Sequence, residues 1–556
     1  MPILRRTDTR AANPAFAATG GRVPGFGGGM PAWLPAVALS AALAAVLLVW
    51  DPHVRDLAAQ TFRAELFERD GFTLWNGTWY QGHYTLTYSV LFPPLAALLG
   101  PQLVGALAVV SSAYLFDRIV REHWGERARW ATLWYAASAV TMLANGNITY
   151  SLGVAFGLAS LRALQCRRSK LAIAAAAGCA LSSPVAAVFL GGVAAVALAV
   201  RRDAINWAAL GVAAVATLPV LLLNVVFPEQ SQQPFSVQSW ISVPIWCVGA
   251  IYLTRDLRDE RRFHLTVVAY LAATTLVWLV ANPLGDNAVR LVSLFGGPVL
   301  LAILLAHRRR VPVVVIVLVM ASGIYWQGFS AARELVQSAG DDSTQASYYE
   351  PLAGWLHDHG GDRARIEVPT TLNSWESAYL APDFQLARGW LRQLDRTRSA
   401  IFYEGRLTNR RYRDWLSRNG VRYVALADAP IHQTAAAERR LIRHEPNYLK
   451  PVWTSEHWSV YEFTDPRPLV HGVGGARARL RSLTTDSFTM HVEHPGTFRV
   501  LVRSSPFWEL SGGRGCVGGH GKWTTVRIPD PGPARVEVSF SVASAWRSAS
   551  GEPDTC

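Results

Sequence analysis

Residues 32–95 read AWLPAVALSAALAAVLLVWDPHVRDLAAQTFRAELFERDGFTLWNGTWYQGHYTLTYSVLFPPL. The first part, 32–50, holds no charged residue and is long enough to predict a membrane-spanning helix. From Asp51 to Tyr88 the composition inverts, with acids, arginines and seven aromatic rings between Phe72 and Tyr88. A long polar and aromatic loop directly after a first span makes this a polytopic membrane chain with chemistry at one membrane surface.

Working outward, apolar runs recur as far as Trp326, each bounded by a charged cluster or a short polar turn. The spans expected lie near 32–50, 101–117, 130–145, 148–165, 171–182, 185–200, 204–226, 240–254, 264–281, 289–306 and 311–326, about eleven in all. The pair 171–182 and 185–200 is short for full crossings and is broken at Ser182-Ser183-Pro184, so neighbours must shield it. The 556 residues are 51% hydrophobic and carry a net charge of +13. Such a basic excess can mean nucleic acid, but here it sits in alternate turns. Arg5, Arg6, Arg10 and Arg22 precede the first span, and Arg118/Arg121/Arg127/Arg129, Arg167/Arg168/Lys170, Arg201/Arg202, Arg255/Arg258/Arg261/Arg262 and Arg308/Arg309/Arg310 follow at every second turn. The intervening turns near Asn145 to Asn147, Ser182 to Pro184, Pro228 to Ser239 and Asn282 to Arg290 contain one basic residue, Arg290. That is positive-inside patterning. It predicts a multi-pass plasma-membrane protein with a cytoplasmic tail (1–31), a bundle (32–326) whose long first external loop is 51–88, and extracytoplasmic C-terminal modules, with no nucleic-acid partner. A cleaved signal peptide is the alternative for 32–50, though the run is long and begins late for one.

Beyond the bundle, 327–465 mixes helical stretches (Tyr349–Asp358, Ala435–Arg443) with strand-like ones (Ala364–Val368, Arg422–Leu426), which predicts an α/β module. From 466 to 556 the period becomes two, in Phe488/Met490/Val492, Phe498/Val500/Val502 and Val536/Val538/Phe540/Val542, separated by Gly- and Pro-rich turns. A β-sandwich is expected there. Cys516 and Cys556 both fall in it, where an exported compartment permits a disulfide. No CxxC or His/Cys spacing argues for zinc.

In the loop, Asp56, Glu65, Glu68 and Asp70 place carboxylates at the membrane surface, and Trp75, Trp79, Tyr80, His83, Tyr84 and Tyr88 supply flat faces. A carboxylate can act as general base on a hydroxyl, and aromatic faces pack on sugars. Equally, Trp and Tyr collect at any interface, and Glu65 and Glu68 with Arg63 and Arg69 can form a solvated helix face. Asp56 is the stronger candidate because it lies just past the first span, nine residues from Glu65 and not bound to share its face. Arg290, beginning the tenth span, is costly at that depth unless it meets Asp286 in a salt bridge or a lipid phosphate.

A long first loop with an early acid, ten or so spans and a large external C-terminal part resembles the GT-C glycosyltransferases. More narrowly, Trp79-Tyr80-Gln81-Gly82-His83-Tyr84, Tyr88-Ser89-Val90-Leu91-Phe92-Pro93-Pro94 and Asn282 to Arg290 resemble actinobacterial membrane proteins of GT-C type. The resemblance implies transfer of a sugar from a polyprenyl-phosphate donor to a cell-envelope glycan or glycolipid. It implies Asp56 as the base, with Glu65, Glu68 or Asp70 as substitutes, and Arg290 near the donor phosphate with His83 second. The substrate-binding set is Asp70, Trp79, Tyr80, His83, Tyr84, Asp286 and Arg290. The loop has no Asp-Asp or Asp-x-Asp pair, and its Glu-x-Asp triplet, Glu68-Arg69-Asp70, carries an arginine between the acids; a metal-free transfer is expected, and a divalent metal is possible but not indicated. Trp375, Trp390, Trp508 and Trp523 are candidates for stacking on an acceptor, or for the core.

Two other functions fit the composition: a transporter or flippase for a lipid-linked sugar, which would want a repeat and ionisable groups within the spans, and a non-catalytic envelope scaffold, which would tolerate loss of Asp56, Glu65 and Arg290. No GxxxxGK[ST], strand-linked GxGxxG or GxSxG motif is present, and the Gly20–Gly29 stretch reads as tail.

Overall fold

A computed structural model describes residues 31–200, 206–229, 231–257, 260–307, 312–551 and 556. The N-terminal tail to residue 30 and the clusters Arg201/Arg202 and Arg308 to Arg310, with Arg258, lie outside the described residues.

The bundle contains α1 (Leu34–Trp50), α2 (Arg55–Asp70), α3 (Phe92–Leu99), α4 (Pro101–Trp124), α5 (Arg129–Ala144), α6 (Ile148–Gln165), α7 (Ser169–Ser182), α8 (Pro184–Val200), α9 (Trp207–Val226), α10 (Val237–Thr254), α11 (Arg261–Leu279), α12 (Gly297–Ala306) and α13 (Val313–Ser338). Among the described residues, five helical segments are long and apolar enough to cross a membrane: α4, α9, α10, α11 and Gly285–Ala306, which leads into α12. The bent pair α1 and α2, at 79°, would be a sixth. Within the described residues each of the expected eleven stretches is largely helical, but several helices fall short of the roughly 20 residues a span needs. The shortfall is plainest in α5 with 16, α7 with 14 and α8 with 17. Leu218, Leu221 and Leu222 of α9, Ile245 and Val248 of α10 and Leu276 and Leu279 of α11 are exposed. So much contiguous apolar surface is compatible with lipid and not with water. The chain is a membrane protein.

After the short α14 (Glu350–Asp358), α15 (Glu376–Tyr379), α16 (Arg392–Arg398), α17 (Asn409–Asn419) and α18 (Ala436–Arg443) pack around a mixed sheet. The loop hairpin β1 (Trp75–Asn76) and β2 (His83–Tyr84) precedes it in the chain. The sheet comprises β3 (Arg365–Glu367), β4 (Gln385–Leu386), β5 (Val421–Ala427), β6 (Leu449–Thr454) and β7 (Trp458–Phe463), in the order β4-β3-β5-β7-β6. Here β3 is parallel to β4 and β5, whereas β7 is antiparallel to β5 and β6.

The C-terminal part contains β8 (Val470–Val473), β9 (Arg477–Leu483), β10 (Ser487–His494), β11 (Gly496–Arg503), β12 (Trp508–Gly512), β13 (Cys516–His520), β14 (Trp523–Ile528) and β15 (Gly532–Val538). They form two four-stranded sheets, β12-β15-β10-β9 and β13-β14-β11-β8. Phe488, Met490, Val492, Phe498, Val500, Val502 and Val536 meet in one core, as alternation along half-buried strands requires. The strand pattern ends at Val538, however, and Val542–Ser550 is a helix, α19 in the chain's order, opened by a Ser541/Ser544 capping box. Cys516 and Cys556 are joined by a disulfide, with Cα atoms 5.5 Å apart.

Loop 71–88 is the seam between all three parts. Leu386 donates to the Thr78 carbonyl at 2.8 Å, extending the edge of the mixed sheet, while Gly77 donates to Thr485 O at 2.6 Å and Arg503 to Gln81 O at 2.9 Å on the sandwich.

Candidate functional site

The start of α2 is clamped from two sides. Trp375 and Trp390 of the α/β module donate their indole N–H to His53 O at 2.9 Å and Arg55 O at 3.0 Å. His53 stacks on Trp375 with centroids 4.7 Å apart and donates from Nδ1 to Thr344 O at 2.8 Å. From the bundle, Gly146 between α5 and α6, at φ +71°, is pressed against the same turn. A Cβ there would lie 2.6 Å from Leu57 N and 3.0 Å from the Asp56 carbonyl carbon. Asp56 is the second residue of α2, where the unsatisfied N–H groups of the first turn favour a carboxylate.

Asp56 lines a cavity of about 430 Å³. Its walls come from α2 (Arg55, Arg63), the aromatic loop (Trp79, His83, Tyr84, Tyr88), the bundle (Tyr150, Arg290) and the α/β module (Trp390, Arg392). Apolar flanks are Phe72, Val185, Val188 and Val220, of which Phe72 and Val188 are exposed at the surface of the bundle. Four arginines in the lining, Arg55, Arg63, Arg290 and Arg392, face two carboxylates, Asp56 and Glu229. Glu229 is engaged, accepting the Tyr84 N–H at 2.8 Å and pairing with Arg398 at 3.8 Å. No hydrogen bond or ion pair to a described residue holds the Asp56 carboxylate or the Arg290 guanidinium. Arg290 lies 5.1 Å from the Tyr150 ring centre and Arg63 3.7 Å from that of Tyr88. Arg55 Nε, Arg63 Nη2 and Arg392 Nε are buried without a partner. Buried donors of this kind are costly unless an anion reaches them. Burial lifts the Asp56 carboxyl above the ordinary carboxylate range, against the downward pull of Arg290, Arg55 and Arg63.

Other expected site residues fall elsewhere. Glu65 and Glu68 are exposed and outside the cavity lining, because the face of α2 that carries Asp56, Phe62, Arg63, Leu66 and Phe67 inward turns them outward. They are not partners of Asp56. Asp70 is also exposed. It pairs with Arg69 at 3.2 Å and accepts from Thr485 Oγ1 at 2.8 Å, so it fastens the loop to the sandwich instead of binding in the cavity. Tyr80 is wholly buried, with its hydroxyl on the Gly389 carbonyl, and is an anchor outside the lining. Trp79 and Tyr84 do line the cavity. Trp79 stacks on Phe62 at 4.3 Å and donates to Ser377 O at 3.1 Å, while Tyr84 bonds Ser505 Oγ at 3.0 Å. His83 is there too, but burial lowers its pKa to about 3, so it is neutral and does not reinforce Arg290 as a cation. Asp286 accepts the Ser236 N–H at 3.1 Å, and no ion pair among the described residues joins it to Arg290. Of the tryptophans, Trp375 and Trp508 are buried, Trp390 borders the cavity, and Trp523 lies under Lys522, whose Nζ is 4.6 Å from its ring centre. Among the described residues no group of three His, Cys, Asp or Glu side chains is placed to hold a metal ion.

Sequence reasoning passed over Arg55, Arg392 and Glu229, read Arg63 as part of a solvated helix face, and named Trp390 for stacking on an acceptor without placing it beside Asp56. Arg63 had a signal, being two turns from Asp56 on one helical face. Arg392 had none.

No protein-family model and no curated protein matches the chain. Among solved structures it is similar to the single-particle cryo-EM structure of the arabinofuranosyltransferase AftD from Mycobacteria, at 15% identity and a TM-score of 0.45. The match covers 92% of this chain and 57% of that one, so the chain spans little more than half the length of the structure it matches.

Proposed function

We propose that the chain is a membrane glycosyltransferase of GT-C type, moving a sugar from a polyprenyl-phosphate donor to a cell-envelope glycan or glycolipid on the outer face. The observation that carries this is the Asp56 carboxylate, unpaired among the described residues and lining a cavity with an excess of unsatisfied arginine donors. Asp56 takes the proton of the acceptor hydroxyl. The oxygen forms its bond to the anomeric carbon on the face opposite the donor phosphate, whose C–O bond breaks with the electron pair, and the configuration inverts. A carboxylate lifted by burial is a stronger base than a solvated one, which suits proton abstraction near neutral pH.

The leaving phosphate needs its charge neutralised. Arg290, with Arg55, Arg63 or Arg392, supplies fixed cations for this without a metal, and donors already in place cost no reorganisation at the moment of reaction. The prenyl chain leaves along the Phe72/Val188/Val220 flank, between helices whose neighbouring surface is lipid-facing. Trp79 and Trp390 offer ring faces for the sugars.

The test is complementation of a deletion strain with wild type and Asp56→Asn, reading envelope glycans and polyprenyl-phosphate sugars by mass spectrometry. The transferase predicts a missing glycan and accumulated donor with normal expression. Full restoration by Asp56→Asn would remove Asp56 as the base and favour transport or scaffolding.

A further inference from the structure

The last helix has its polarity inside out for a protein in water. Along α19, Ser544 is buried and Ser548 is half-buried, donating from its hydroxyl to the Val226 carbonyl at 2.6 Å, at the end of α9. Val542, Trp546 and Ala549, at i, i+4 and i+7, form a stripe on the opposite side. Val542 is 83% exposed and Trp546 69%. A helix bathed in solvent places small polar residues outward and its Trp and Val inward. Here Ser544 and Ser548 face the protein, while Val542 and Trp546 face away from it.

What lies beside this stripe supplies the reason. The contact through Ser548 sets α19 against the end of α9, whose Leu221, Leu222 and Val225 are exposed on a helix apolar enough to cross a membrane. Phe540, just before α19, is also exposed and stacks in parallel on Phe507, centroids 6.0 Å apart. Exposed apolar side chains of α9 and of the C-terminal module therefore lie on neighbouring elements, with the polar Asn224 and Arg547 also exposed there. The helix is held at both ends: β15 leads into it, and the disulfide from Cys556 to Cys516 returns the chain behind it to the sandwich.

We infer that α19 is a lipid-contacting helix, lying in the headgroup layer of the leaflet on the module side and seating the β-sandwich on the bilayer. Tryptophan at the edge of a hydrocarbon-facing surface is the arrangement interfacial helices use, with the ring at headgroup depth. The seat is placed where it matters to the cavity, since Val220 and Asn224 of the same α9 form part of the cavity wall. Docking α19 in lipid fixes the end of α9 and the sandwich together, and with them the aromatic loop that the sandwich holds through Thr485. This inference rests on the membrane character of α9 and not on the transferase reading.

Spin labelling of the full chain in lipid nanodiscs tests it. In a Cys166→Ser background the remaining free cysteines, Cys179 and Cys247, are buried, so a label reports only on an introduced site. Labels at Trp546→Cys and, independently, Val542→Cys are compared with one at Arg479→Cys, which is on an exposed strand. Lipid contact predicts oxygen collision rates several-fold above those with a water-soluble nickel reagent at 546 and 542, and the reverse at 479. Aqueous accessibility at 546 and 542 equal to that at 479 would overturn the inference. So would spin–spin broadening at 546 that vanishes on dilution with unlabelled chain, in favour of a contact between copies.

Discussion

Two buried clusters of arginine and carboxylate lie in this molecule, and they are built on opposite plans. In the α/β module Arg388 Nη2 is 2.6 Å from Glu367 and 2.6 Å from Glu438, Tyr412 donates to Glu438 at 2.8 Å, and the three charged side chains are at most 2% exposed. Each charged side chain there has an oppositely charged partner, although Arg388 Nη1 and Glu367 Oε2 are buried without one. In the cavity Asp56 and Arg290 have none among the described residues, and three arginine nitrogens are buried without acceptors. A cluster whose charges pair with one another does a structural job, whereas one with unpaired charges and an excess of cations is suited to an anionic ligand.

The sharpest break between the two is Asp56→Asn. Loss of a general base lowers turnover by about 10²–10⁴-fold, while the melting temperature in detergent should not fall, since no partner is stranded. A cavity that melted with Asp56→Asn would be structural after all. The mirror experiment is Arg388→Ala, which strands two buried glutamates and should cost about 3–5 kcal/mol, read as a lower melting temperature or rapid proteolysis. Next comes Arg290→Ala, expected to lower turnover by about 10²–10³-fold through loss of phosphate stabilisation. Its pH profile carries the sign. Asp56 must be ionised to act and Arg290 pulls its pKa down, so without that cation the pKa rises and the acid limb of the rate profile moves to higher pH. A limb that stayed in place would uncouple the two residues.

A smaller effect is expected from Gly146→Ala. The left-handed φ and the contact with Leu57 N strain any side chain there by about 1–3 kcal/mol, and the shift of α2 should reduce turnover more than stability. Smallest of all, Glu65→Gln with Glu68→Gln should stay within about 0.5 kcal/mol of wild type, as exposed substitutions do, with unchanged activity. A loss of activity there would return those residues to the site.

The apolar runs were legible because a helix hidden from water needs little more than length and hydrophobicity, and the strands around Phe488 and Phe498 because one buried face imposes a period of two. Asp56 was legible because it is the first acid on a helix after an apolar run. Its separation from Glu65 and Glu68 follows from helical periodicity once α2 is known to start at Arg55. The helix at 542–550 was not legible, because Phe540 and Val542 continue the alternation of β15 and only the turn after Val538 stops it.

By itself, then, the sequence determined a membrane bundle, two further modules, an acid soon after the first apolar run and the cation Arg290 in the turn from Asn282, all properties of local composition and period. Tertiary structure decided which charges meet. Arg55 and Trp390, 335 residues apart, come together by an indole hydrogen bond to a backbone carbonyl, a contact any tryptophan could make and no pattern announces. It also decided that Glu65 and Glu68 face out, that His83 is buried and neutral, and that Arg290 lies against Tyr150 and near Asp56 instead of paired with Asp286. Those outcomes depend on desolvation and on packing between distant segments, quantities that exist only once the chain has folded.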